Sequence, residues 1–131
     1  MGGFLMAEEA SVNPIKDCGE APHCVSTVAT DKSKFIQPII FNLSKEDFIR
    51  IATATIESMD NAKIVKTSDT YIHAEFTSSI MKFVDDFEVY YDAGKKMIDM
   101  RSTSRIGYYD FNVNLKRSKT FEKKFLENVK K

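Results

Sequence analysis

The sequence predicts an α+β fold, a mostly antiparallel sheet of about five strands packed with two helices. Three observations carry that prediction. Apolar residues recur at helical spacing in only two stretches, one around residue 50 and one at the C-terminal end. From residue 62 the apolar period falls to two over four consecutive segments. The joints between those segments are short enough to make neighbours hairpin partners. The resulting order of strand, helix, four strands, helix describes a sheet covered by helices.

Residues 1–34 lack a regular period and carry turn signals at Asn13-Pro14, Cys18-Gly19, Ala21-Pro22 and Asp31, so they are read as an irregular N-terminal arm. Residues 35–131 are read as a single α+β domain. Its first strand is the apolar run "FIQPIIF" at 35–41, where Pro38 predicts an edge strand or a bulge. Ser44, with an acid three residues on at Asp47, predicts a helix N-terminus. Phe48, Ile49, Ile51, Ala52, Ile56 and Met59 then mark one buried helical face, and "MDNAK" ends it. The four strands follow in "AKIVKT", "TYIHAEFTS", "KFVDDFEVYYD" and "KKMIDMRSTSR", joined by "SD" and "DAGK". After a loop over 106–117, Ser118 is expected to cap a last helix that buries Phe121, Phe125, Leu126 and Val129.

Composition bounds the function. A chain of 131 residues suits one two-layer core. Lys plus Arg and Asp plus Glu both number 19, so the net charge of zero exerts no global pull on nucleic acid or anionic membrane, although a local patch stays open. Ten Phe and no Trp predict a Phe-rich core. No run approaches the roughly 18 apolar residues of a membrane span. The start "MGGFLMAEEAS" lacks the basic region of a secretory signal, and Met6 breaks the myristoylation pattern. As it stands the chain is expected in the cytoplasm; an upstream start codon would make it an exported periplasmic or cell-envelope protein.

Alternation sorts the strand residues into faces. His73, Glu75, Asp86, Glu88, Arg101 and Arg105 fall together on one, while Phe87, Val89, Ile98 and Met100 fall on the other with Asp85, Ser102 and Ser104. This accounts for the unusual stretch "RSTSRIGYYDFNVN": its arginines belong to a polar constellation on one sheet face. Arg101 and Arg105 present planar forks suited to carboxylate or phosphate. Asp85 and Asp86 are sequential in a strand and point to opposite faces, so they act as one catalytic pair only if a bulge intervenes.

"HCVST" at 23–27, "FVDDFEV" at 83–89 and "RSTSRIGYYDFNVNLKR" at 101–117 resemble, in that order, the domain-of-unknown-function family numbered 1499. That family's pattern is Asn-Cys-Val-Ser-Ser, Phe-x-Asp-Asp-x-Glu, then Arg-Ser-x-Ser-Arg-x-Gly-x-x-Asp-x-Gly-x-Asn-x-x-Arg. His23, Thr27 and Asn112 depart from it, standing where Asn, Ser and Gly are usual. Asn112 bears on the backbone angles of its turn, because Asn tolerates positive φ better than most residues. The resemblance implies an uncharacterised bacterial or plastid protein with no established activity. Many members carry export or lipoprotein signals, which implies an extracytoplasmic home.

The acids and arginines read first as an ion-pair network across adjacent strands, and then as an anion-binding site. The Ser, His and Asp residues show no spacing of a known nucleophilic triad. Cys18 and Cys24, with His23 between them, offer too few ligands for zinc and no C-x-x-C redox motif; in an oxidising compartment they are expected to form a local disulfide. The C-terminal lysines read as a solvated helix face, so no nucleic-acid partner is expected. No cofactor or metal is expected. A sheet with helices over one face also encloses apolar pockets, which keeps a lipid-like ligand open. The function expected is therefore a non-enzymatic domain binding a small anionic or hydrophobic ligand or a protein partner. The ligand-binding residues would be Asp86, Glu88, Arg101, Arg105, Tyr108, Asp110, Asn114 and Arg117. The alternative is an uncharacterised hydrolase using Asp86, Glu88 and Arg105.

Overall fold

The computed structural model describes residues 12–106 and 112–131. Chain order runs β1 (Cys24–Ser26), β2 (Ile39–Ile40), α1 (Lys45–Glu57), β3 (Ala62–Thr67), β4 (Tyr71–Thr77), β5 (Val84–Asp92), β6 (Met97–Ser104) and α2 (Val113–Val129). The strands form one antiparallel sheet in the order β1-β6-β5-β4-β3, and β2 also pairs with β6. The α+β fold class stands, with six strands rather than about five.

The four-strand meander β3 to β6 lies where the period of two placed it. Alternation of buried and half-buried residues through β4 and through β5 as far as Val89 shows why: each strand gives one face to the core and one to the open side. The first expected strand, 35–41, shrinks to Ile39–Ile40 and bonds to a single neighbour, as Pro38 predicted. The additional strand is β1, within the stretch read as an irregular arm. Three residues are too few to show a period, and tertiary contacts hold them. Val25 pairs with Ser102, Ser26 pairs with Arg101, and the Ser26 hydroxyl donates to the Lys16 carbonyl at 2.8 Å.

Both helices pack on one side of the sheet. Phe48, Ile51, Ala52 and Ile56 of α1 and Phe121 and Phe125 of α2 join Ile72, Phe87, Val89, Ile98 and Met100 in the core. Aromatic rings run through it in contact: Phe48 against Tyr91 at 5.4 Å and Phe87 against Phe121 at 5.3 Å between centroids. The buried Tyr91 hydroxyl escapes desolvation by accepting from Leu43 N and donating to Leu43 O, both at 2.9 Å. Ser44 caps α1 as predicted, its hydroxyl accepting from Asp47 N at 3.0 Å.

The start of α2 corrects the reading of the last loop. Residues 113–117 are helical, and Asn112 is the N-cap residue, at φ 59°. Ser118 lies inside the helix, where its hydroxyl donates to the Asn114 carbonyl at 3.0 Å. The buried stripe of α2 is Asn114, Ser118, Phe121 and Phe125, so its first half is polar. A hydrophobic period cannot reveal a helix turn whose buried side chains are Asn and Ser. The expected loop "GYYDFNVN" falls partly outside the described residues, which exclude 107–111.

Cys18 and Cys24 are joined by a disulfide, with Cα atoms 5.8 Å apart. The bridge pins residues 18–24 beside β1. Protein produced in an oxidising compartment is expected to gain about two daltons on reduction, the two hydrogens restored when the bridge opens. Two thiols alkylated without reductant would remove the bridge.

Candidate functional site

The predicted site residues divide between the two faces of the sheet. On the face away from the helices, register sets His73 opposite Glu88, Glu75 opposite Asp86, and Glu88 opposite Arg101. Arg105 reaches across from the end of β6. Its Nε and Nη2 donate to Asp86 at 2.8 Å, and Nη2 also donates to Glu75 at 2.8 Å. His73 Nε2 lies 2.8 Å from Asp86 Oδ1. The hydrogen bond from Arg105 holds the Asp86 carboxyl below the usual carboxylate range against the opposing effect of burial, and His73 adds to it. Asp86 and Glu75 together push the Arg105 guanidinium up.

Arg105 is 47% exposed, so the ion-pair network across these strands is a solvent-facing cluster. Such pairs contribute little to stability. Tyr71, which alternation also places on this face, donates its hydroxyl to Glu88. Burial, then that bond to a carboxylate, pushes the Tyr71 hydroxyl up. Arg101 lies 3.9 Å from Glu88, and its buried Nε finds no hydrogen-bond partner among the described residues. At the far end of this face the buried Asp99 accepts from Thr27 Oγ1 at 2.6 Å and Asn13 Nδ2 at 2.8 Å, which ties the N-terminal segment to β6.

Asn114 and Arg117 lie on the helix side, and there they meet residues the sequence reading left among the core. Arg117 Nη2 pairs with Asp85 Oδ2 at 3.0 Å, with side chains only 12% and 13% exposed. The same guanidinium donates from Nη1 to Asn114 Oδ1 at 2.9 Å and Ser102 Oγ at 3.2 Å. It also sits 4.6 Å over the Phe76 ring. Asn114 accepts from Ser102 Oγ at 2.7 Å and donates to Ser104 Oγ at 2.9 Å and the His23 carbonyl at 3.1 Å. A signal for this second cluster did exist. Alternation put Asp85, Ser102 and Ser104 on the apolar face, and polar groups there require buried partners. Tyr108 and Asp110 lie outside the described residues.

Beside the Asp85–Arg117 pair a cleft of about 610 Å³ opens between the β4–β5 hairpin and the first turn of α2. Phe76, Met81, Phe83, Ile106 and Val113 form its apolar walls, with Ser104, Asp85 and Arg117 as a polar floor and the exposed Lys116 and Asp60 also lining it. The face carrying Arg105 is closed by its own ion pairs; this side offers a concavity.

A family model described as "Protein of unknown function (DUF1499)" matches residues 14–125. No curated protein and no solved structure matches the chain. Among the described residues no helix is long and apolar enough to cross a membrane.

Proposed function

The chain belongs to this family of unknown function, and on that premise we propose a non-enzymatic domain that binds a small amphipathic molecule in the cleft beside Arg117. The ligand class is an apolar chain bearing one anionic group. The observation that carries this reading is the combination of apolar walls with one exposed lysine, Lys116, and one exposed acid, Asp60, around a volume suited to a small ligand. Arg117 is already neutralised by Asp85, so it serves as a fixed polar floor. The ligand's anionic group would instead face Lys116, while its chain displaces water from Phe76, Phe83 and Val113.

The hydrolase alternative rests on Asp86, Glu88 and Arg105, which do share one face. However, Asp86 is held by Arg105 and His73, and Glu88 by Tyr71. An acid that is kept ionised and bonded on both oxygens is poorly suited to carry protons near neutrality. The geometry favours binding.

Titration with dodecanoate and with the uncharged dodecanol tests the proposal. Saturable binding of both is expected. Phe83→Asp should weaken both by about tenfold or more, because a charge replaces an apolar wall. Lys116→Glu should weaken dodecanoate alone. Absence of saturable binding by either molecule would sink the reading, as would a Phe83→Asp variant that is folded and binds normally.

A further inference from the structure

We propose that the tip of the β4–β5 hairpin, Ile80 and Met81 with Lys82, docks the domain on an anionic phospholipid surface. Ile80 is 88% exposed and Met81 63% exposed, two adjacent aliphatic side chains at the outermost point of a turn. The core does not use them. The turn that displays them is firmly closed: Ser78 N donates to the Phe83 carbonyl at 2.9 Å, Phe83 N donates to Ser78 Oγ at 2.9 Å, and Lys82 N donates to Ser78 O at 3.2 Å. Lys82 adopts φ 61° to complete it. Several backbone polar groups are therefore satisfied within the turn, which lowers the cost of pressing its tip into an apolar boundary.

The occupant follows from shape and charge. The tip is a projecting knob of two residues, far short of the roughly 800 Å² per partner that a specific protein interface covers. A lipid boundary requires no complementary pocket and accepts aliphatic side chains directly. Lys82 lies within the tip and suits an anionic headgroup, and the groove that shares Phe76 and Val113 with the cleft carries two further lysines, Lys116 and Lys124, against one exposed acid, Asp60. Docking here would set the cleft mouth, to which Met81 contributes, against the lipid surface.

Ile80 does not line the cleft, which separates this proposal from the ligand reading. The chain contains no Trp, so Ile80→Trp places a single reporter at the tip. Vesicles of phosphatidylcholine with phosphatidylglycerol are expected to shift its emission to the blue, and phosphatidylcholine alone to do so much less. In co-sedimentation, Ile80→Asp should weaken binding to the anionic vesicles about tenfold or more while leaving the melting temperature and dodecanoate binding unchanged. An unshifted tryptophan would overturn the proposal, as would wild-type protein that stays in the supernatant or Ile80→Asp protein that sediments like wild type. A wild-type dimer in the absence of vesicles that Ile80→Asp dissociates would assign the tip to a second copy of the chain, and would equally overturn it.

Discussion

Arg117→Met is expected to lower the free energy of unfolding by about 3–5 kcal/mol, the usual cost of leaving one member of a buried ion pair without its partner. Asp85 is 13% exposed and has Arg117 as its ion-pair partner at 3.0 Å. Methionine keeps an unbranched apolar side chain but loses the charge and, with it, the guanidinium that sits over Phe76. The same change removes a donor from Asn114 and from Ser102, so the loss falls on a connected network. The double variant Asp85→Leu with Arg117→Met should recover much of the loss, because replacing both charges with apolar groups removes the desolvation problem itself. Urea denaturation of the two singles and the double measures the coupling. A single variant within about 0.5 kcal/mol of wild type would show that the pair is not buried in solution.

That pair also marks the limit of what the sequence could tell. The meander was legible because β4 alternates buried and half-buried positions throughout and β5 does so up to Val89, and because hairpins as short as "DAGK" leave only one way for neighbours to pair. The same alternation placed His73, Glu75, Asp86 and Arg105 on one face, where the structure joins them. Tyr71 belongs to that face by the identical rule, although nothing in its spacing shows that its hydroxyl bonds Glu88. β1 could not be read, since its three residues depend on the disulfide and on pairing with β6. The cluster around Arg117 stayed hidden for a different reason. Placing the helix start at Ser118 left Asn114 and Arg117 in a loop, where no periodicity links them to Asp85 or Ser102.

Asn114→Ala is expected to be comparably damaging, and it discriminates between a helical network and a solvated loop. The Asn114 side chain is fully buried and makes four hydrogen bonds. Alanine fills neither the space nor the bonding. Ser104 and the His23 carbonyl lose a donor, and Ser102 and Arg117 lose an acceptor. At ~1–3 kcal/mol for each buried group left unsatisfied, a total loss of about 3 kcal/mol or more is expected. Asn112, two residues earlier, should behave differently. It is exposed, makes no side-chain capping bond, and sits at φ 59°. Asn112→Ala should cost only ~1–2 kcal/mol, from forcing an alanine into the left-handed region. Asn112→Gly should be neutral or slightly stabilising, because glycine accepts that conformation freely. The contrast within one turn of chain is the test, read from denaturant melts of the three variants. Asn114→Ala with wild-type stability would place that side chain in water and dissolve the Asn114–Arg117–Asp85 network, and with it the fixed polar floor of the cleft.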